Sequence, residues 1–384
     1  MKYRQFGRLD WEVSALGFGC MRFPTQNGND DIAEKEATQM LRYAIDHGVN
    51  YIDTAYPYHG GNSEPFVGRV LQDGYRDKVR LATKLPSWKI EEREDFDRYL
   101  EEQLDRLQTK HIDFYLLHAL KQDWWHKLRD LGVTDWAEGA IRDGRIGHLG
   151  FSFHDDYEAF NEIVDGYDWT FCQIQYNYMD IDNQAGTKGL KYAASQGLAV
   201  VVMEPLLGGK LVDPPSPIQK IWEKAELTRS PADWALQWLW HQPEVSVVLS
   251  GMSAMDHVRE NVASAERSET GILTEAELAL IDRVREEYER LCPIPCTQCS
   301  YCMPCPNGVD IPRNFQVYNQ GAMYEEQEWA RWAYDQIPEE KRASACIACL
   351  ECEDQCPQSI AISEWMDHVH EVLGEDRAYV CELP

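Results

Sequence analysis

No stretch of this chain approaches the roughly 20 consecutive apolar residues that a membrane-spanning helix needs. The start, Met1-Lys2-Tyr3-Arg4-Gln5-Phe6, carries no apolar run of the kind an export signal uses. Neither a membrane protein nor a secreted one is expected. Basic residues are scarce: 37 Lys and Arg stand against 65 Asp and Glu, a formal net charge of −28. So negative a surface repels phosphate backbones and anionic lipid, which excludes nucleic acid and membrane as expected partners. Low-complexity tracts and self-similar repeats are also missing.

Cysteine is what the chain has in unusual order. Eight of its twelve cysteines fall in two runs, Cys296-x2-Cys299-x2-Cys302-x2-Cys305-Pro306 and Cys346-x2-Cys349-x2-Cys352-x3-Cys356-Pro357. The second run matches the bacterial-ferredoxin pattern, in which three cysteines hold one 4Fe–4S cluster and the Pro-preceding one reaches the other. Zinc sites use two separated Cys pairs, which leaves the third and fourth cysteines of each run unexplained. Disulfides fit poorly, because cysteines three residues apart in tight turns seldom meet bridging geometry. Two 4Fe–4S clusters are the expectation, in a reducing cytoplasm. The first run is one residue short before its Cys-Pro, so Cys305 and Cys292 both stay open as the eighth ligand. Cys20, Cys172 and Cys381 are isolated and read as ordinary thiols.

With 384 residues there is room for one large domain and a small one. Residues 1–14 predict a hairpin, Lys2–Phe6 and Trp11–Val13 flanking Gly7-Arg8-Leu9-Asp10. Short apolar runs then alternate with amphipathic segments: Ala15–Phe18, Asn50–Asp53, Val79–Lys84, Asp113–His118, Ile146–Ser152, Phe171–Tyr176, Ala199–Met203 and Val245–Leu249. Glu34–His47 lines Ala37, Leu41, Ala44 and Ile45 along one helical face before Gly48, and Ser230-Pro231 marks another helix start. Eight β–α units predict a (β/α)8 TIM barrel with an N-terminal β-hairpin, an α/β fold. A doubly wound open sheet is the alternative; the even count and the hairpin favour closure. A charged helix over 275–290 leads out, and Phe315, Val317, Tyr318, Trp329, Trp332 and Tyr334 give the stretch between the cysteine runs a helical look. The expected organisation is a barrel over 1–288 and a small, mainly helical 4Fe–4S dicluster domain over 289–384.

Reacting groups in such barrels sit at the C-terminal strand ends and in the loops after them. Those positions hold Asp53, Tyr58, Lys84 and His118. Each alone has a bland reading as a cap, a packed ring or a core histidine. Together they make a device. A phenol with a free pKa of about 10 is a poor acid at neutral pH, and a nearby ammonium is expected to lower that value. Asp53 would hold Lys84 charged, and His118 would steer a carbonyl oxygen toward the phenol. A carbonyl, a proton donor and a dry pocket call for a hydride source, the layout of a nicotinamide enzyme.

Gly48-Val49-Asn50-Tyr51-Ile52-Asp53-Thr54-Ala55-Tyr56-Pro57-Tyr58, followed by Ser63-Glu64 and Gly68, resembles the aldo/keto reductase signature. Leu81-Ala82-Thr83-Lys84 and Asp113-Phe114-Tyr115-Leu116-Leu117-His118 are similar to that family's other active-site segments. The barrel resemblance covers roughly residues 1–265, and the whole chain is similar to the branch with a C-terminal 4Fe–4S domain. It implies Tyr58 as general acid, Lys84 as the group that tunes it, Asp53 as the Lys84 partner and His118 as substrate-orienting residue. For the cofactor it implies Ser152 and Gln173 at the nicotinamide carboxamide, with Phe153 where the family has Asn. Met203 replaces the aromatic residue that stacks on the nicotinamide, and Glu260 and Asn261 keep the adenine pair. Within Gly251-Met252-Ser253 and onward, the basic residues that grip a 2′-phosphate are replaced by Gly251 and His257, so NADH and NADPH both stay open. Substrate specificity falls to loops such as His59–Asn62, Leu120–Trp125 and Leu207–Pro217; Trp124 and Trp125 read equally as a pocket wall or as packing.

A nicotinamide gives two electrons as a hydride, whereas each cluster takes one. No flavin fingerprint is readable, yet a barrel can hold FMN through backbone groups and its last loops, so a flavin converter stays open. The expected function is an oxidoreductase interconverting a small-molecule carbonyl and alcohol with NAD(P)H, its two clusters relaying electrons to or from a partner protein. A plain carbonyl reductase with structural or redox-sensing clusters is one alternative, and a non-catalytic electron-transfer scaffold is the other. From Cys292 onward sixteen Asp and Glu face five Lys and Arg. That balance suits a basic redox partner, and equally a merely solvated surface.

Overall fold

Strands β1 (Tyr3–Gln5) and β2 (Glu12–Ser14) pair antiparallel, Tyr3 opposite Ser14. They open a computed structural model that describes residues 1–26, 30–296, 302–356 and 358–379. Eight parallel strands follow: β3 (Leu16–Gly19), β4 (Tyr51–Asp53), β5 (Arg80–Leu85), β6 (Ile112–Leu120), β7 (Ile146–Phe153), β8 (Phe171–Gln175), β9 (Ala199–Met203) and β10 (Val245–Ser250). Each pairs with its sequence neighbour, and β10 pairs with β3 to close the ring. The open sheet is thereby excluded. Strands covered by helices outside and side chains inside read as continuous apolar runs, and these runs became strands for that reason. The hairpin plugs the N-terminal mouth. Phe6 is fully buried, with ring centroids 4.7 Å from Phe114, 5.7 Å from Phe171 and 5.9 Å from Tyr51.

The chain separates into two units, Met1–Val212 with Arg229–Glu275, and Asp213–Thr228 with Ala276–Pro384. Helix Glu275–Arg290, expected to lead out of the barrel, lies from Ala276 onward in the second unit. That unit is helical, through Ile311–Met323, Gln327–Asp335 and Ile362–Leu373, and holds no strand among the described residues. Its core joins Val309, Phe315, Tyr318, Tyr334, Met366 and Val369. No helix among the described residues is long and apolar enough to cross a membrane.

Helix Ser63–Val70, which follows the Tyr58 loop, is seated against the end of helix Glu94–Arg106 through Gly68. A Cβ on Gly68 would lie 2.7 Å from the carbonyl oxygens of Arg106 and Leu107. Backbone cannot yield as a side-chain tip can. Gly68→Ala is expected to destabilise the barrel by about 1–3 kcal/mol, read as a lower midpoint in chemical denaturation; an unchanged midpoint would contradict this seating.

Candidate active site

Three strand-end residues and one from the loop after β4 converge at the C-terminal mouth. Asp53 ends β4, and Tyr58 opens the short turn Tyr58–Gly61 after it. Lys84 lies near the end of β5 with its side chain fully buried. All three of its ammonium protons have acceptors: Asp53 Oδ1 at 2.7 Å, the Thr54 carbonyl at 2.8 Å and the Tyr58 hydroxyl at 3.2 Å. His118 sits where β6 loses its regular register between Leu117 and Leu120. Ala119 there takes a φ of 53° and donates its N–H to Ser152 Oγ at 2.7 Å. Such an irregularity re-aims a side chain, and the His118 ring stands edge-on to Tyr58, centroids 6.2 Å apart.

Burial works against the charge on Lys84, but Asp53 and then Tyr58 overcome it, and the ammonium is held above its ordinary value. Asp53 is pushed up by burial, with Lys84 pulling the other way. Tyr58 departs from the sequence expectation. Burial raises its value, and the opposing pull of Lys84 does not reverse the direction. The phenol thus stays protonated through neutral pH. Burial, Lys84 and His154 hold His118 well below its ordinary value, leaving a neutral ring. His118 Nδ1 and Asp53 Oδ2 are buried without a hydrogen-bond partner among the described residues.

Sequence reasoning missed the scaffold behind Lys84. The Gln103 amide donates to the Lys84 carbonyl at 3.0 Å and to Glu64 Oε1 at 2.6 Å, while Tyr115 donates to Gln103 Oε1 at 2.6 Å. Thr83 and Arg106 also donate to the fully buried Glu64, at 2.7 and 3.3 Å. A satisfied buried network of this kind fixes backbone on both sides of the lysine. Also missed was Trp88, whose ring lies 5.1 Å from His118 and 6.2 Å from Trp124. Trp124 and Trp88 stand at the mouth. Trp125 does not: it is fully buried and packs on Trp169 at 5.5 Å, so its wall reading is corrected to core packing.

The expected cofactor residues spread along the last four strands and the helix after β10. Ser152 is occupied as an acceptor at the β6 irregularity. Gln173 points its amide nitrogen at Met203 Sδ, 3.5 Å away, and its buried carbonyl oxygen has no partner among the described residues. An orphaned acceptor at that depth fits a carboxamide N–H. Asn261 donates to Ser250 Oγ at 3.0 Å, Glu260 accepts from Ser230, and Ser253 lies 3.5 Å from His257 Nδ1. Arg22, in the loop after β3, was not weighed in the sequence. A Cβ at Gly251 would meet its Cδ at 3.1 Å, and one at Gly208 its Nη2 at 3.2 Å. A cation therefore stands beside Gly251, supplied by the first loop of the barrel instead of the last.

In the second unit, Cys305 lines one cavity with Cys346, Cys349 and Cys352. This is three cysteines of one run and the Pro-preceding one of the other, a donor set that fits a 4Fe–4S cluster. Burial pushes the Cys352 thiol up to about 11, so ligation would release its proton. Cys296, Cys302 and Cys356 lie against the same helical core, and Cys299 falls outside the described residues. Cys292 does not line that cavity; burial and Glu289 push its thiol up to about 12.

Comparison with known proteins agrees with this geometry. Residues 15–286 match the model of the aldo/keto reductase family, and residues 295–361 match a 4Fe–4S dicluster domain. The uncharacterized oxidoreductase YrpG of Bacillus subtilis is 26% identical over 316 residues, covering 70% of this chain and 92% of its own. L-galactose dehydrogenase of Arabidopsis thaliana is 26% identical over 317 residues, covering 76% and 96%. Among solved structures, the aldo-keto reductase AKR11C1 from Bacillus halodurans in its holo form superposes with a TM-score of 0.63 at 28% identity, covering 74% of this chain and 96% of that one.

The cysteine arrangement separates the two candidates for the eighth ligand. Anaerobically purified protein is expected to carry about eight irons. Cys305→Ala should lower the iron content and alter the spectrum of one cluster, and Cys292→Ala should change neither. The reverse pattern would overturn the assignment.

Proposed function

The chain belongs to the aldo/keto reductase family and carries a 4Fe–4S dicluster domain, and from that premise we propose that it interconverts a small-molecule carbonyl and alcohol at Tyr58 with NAD(P)H, its two clusters relaying electrons to or from a partner protein. The single observation that carries this reading is the buried Lys84 ammonium shared among Asp53, Thr54 and Tyr58. Tyr58 gives its proton to the oxygen of the reduced carbonyl, and Lys84 stabilises the phenolate left behind. His118, neutral, offers a ring N–H to the carbonyl oxygen and fixes its approach to Tyr58. Nicotinamide, when bound, supplies the hydride. Ser152 and Gln173 would hold its carboxamide end, Met203 would stand where the family has a stacking aromatic residue, and Arg22 would take the phosphate-facing role that Gly251 and His257 lack. Ser253, Glu260 and Asn261 serve the adenine end.

In the helical module, proposed from residue 289, Cys305, Cys346, Cys349 and Cys352 hold one cluster and Cys296, Cys299, Cys302 and Cys356 the other. Such clusters supply single electrons and suit a reducing, cytoplasmic setting. The excess of acid after Cys292 favours a partner with a basic face. Tyr58→Phe is expected to lower kcat by about 10²–10⁴-fold, the worth of a general acid, with cluster absorbance unchanged. Undiminished turnover would sink the assignment. The relay has its own arm: wild-type protein with chemically reduced clusters, given substrate without nicotinamide, converts it. No conversion beside normal NAD(P)H activity makes the clusters structural.

A further inference from the structure

At the N-terminal end of the barrel, opposite the Lys84 mouth, lies a cavity of about 250 Å³ lined by Leu9, Trp11, Arg80, Phe114 and His148, among others. The hairpin turn supplies one wall, and the first residues of β5, β6 and β7 supply the rest. At ~30 Å³ per water it has room for about eight waters, enough for a one-ring acid and too small for a dinucleotide. Its floor is aromatic. Phe114 lies with ring centroids 5.5 Å from Trp11 and 5.4 Å from His148, the latter pair nearly parallel at 26°.

The polar groups here are an unbalanced set. Asp113 is nearly saturated: it accepts from Arg80 at 2.9 Å, from Arg76 at 2.6 Å and from the Leu81 N–H at 2.9 Å. Arg76 spends its two terminal nitrogens on Asp113 and on the carbonyls of Val79 and His111, and its buried Nε has no partner among the described residues. Arg80, its side chain 53% exposed, makes that one hydrogen bond and lays its guanidinium 6.0 Å from the Trp11 ring, so most of its N–H groups have no acceptor among the described residues and face the open side of the cavity. The nitrogens of half-buried His148 make no hydrogen bond among the described residues. Burial and then Arg80 hold that ring below its ordinary value. His111 commits Nδ1 to the Gly144 carbonyl at 2.7 Å, and Asp10, at the exposed rim, is the one carboxylate of the lining outside this network. The cavity therefore presents a half-exposed guanidinium and a half-buried imidazole, neither met by a further acceptor among the described residues, beside an aromatic surface.

We infer that this cavity is a second binding site, selective for a small aromatic carboxylate whose ring lies on Trp11, over the packed edge of Phe114, and whose carboxylate meets Arg80 and His148. A charged acceptor on a guanidinium forms the stronger, charge-assisted class of hydrogen bond. Aromatic area beside it distinguishes such a ligand from a bare anion. The site rests on barrel residues alone and stands whether or not Tyr58 is the general acid.

Titration calorimetry of the full-length, cluster-loaded protein with benzoate tests it, with acetate and benzyl alcohol as probes of charge and ring alone. Benzoate should bind at least about tenfold more tightly than either, since each lacks one of the two contacts. Arg80→Met and His148→Leu should each weaken benzoate about tenfold, whereas Trp88→Ala at the other mouth should leave it unchanged. Should Arg80→Met fail to fold, Trp11→Ala replaces it: that change removes the ring contact and should remove the preference for benzoate over acetate. No benzoate binding, acetate binding as tight as benzoate, or binding indifferent to Arg80 and His148 overturns the proposal.

Discussion

A buried ammonium is the constraint on which the barrel mouth depends. Lys84 is wholly withdrawn from water, and a buried charge persists only when paired and hydrogen-bonded. Its three protons are spent on Asp53, Thr54 and Tyr58, residues delivered by one strand end and the loop after it. Removing the Asp53 carboxylate would leave that charge unpaired at a cost of about 3–5 kcal/mol. The same requirement explains the backing: Gln103, Glu64, Thr83 and Tyr115 lock the strand on which Lys84 rides. Geometry that the chemistry needs is thus enforced by electrostatics that the fold cannot relax.

Much of this was legible in the chain. The eight barrel strands appear as apolar runs because each is covered on both faces, and the four mouth residues were found because strand ends are the positions where such barrels react. What stayed hidden depends on depth and on neighbours distant in sequence. Proximity of Lys84 to Tyr58 could be inferred, but not that burial would outweigh it and keep the phenol value raised. Trp124 and Trp125 looked alike, yet one step along helix Gln122–Asp130 turns a side chain by about 100°, from the mouth to the core. Arg22, Trp88 and Gln103 reach the site only through tertiary folding. A cation closely following the first barrel strand was the one available signal for Arg22.

The cysteine runs show the same division. Spacing named the ligand type and the number of clusters but left Cys305 and Cys292 open, because a one-residue difference in a run does not say where its last thiol points. In the structure Cys305 lines one cavity with three cysteines of the second run, and Cys292 does not. Family membership covers the barrel and the dicluster match covers the tail, so the chain joins a two-electron site to carriers of one electron. That mismatch gives the relay its chemical interest, and it is the part of the proposal furthest from what either module does alone.

The central claim is that the Lys84 charge makes Tyr58 an acid for carbonyl chemistry. Steady-state turnover of Lys84→Met, with fold checked by circular dichroism and clusters by absorbance, tests it most directly. The double change Asp53→Asn with Lys84→Met removes both buried charges and serves if the single variant does not fold. The account predicts a loss in kcat of about 10²–10⁴-fold with both clusters retained. Turnover within a few-fold of wild type would contradict it.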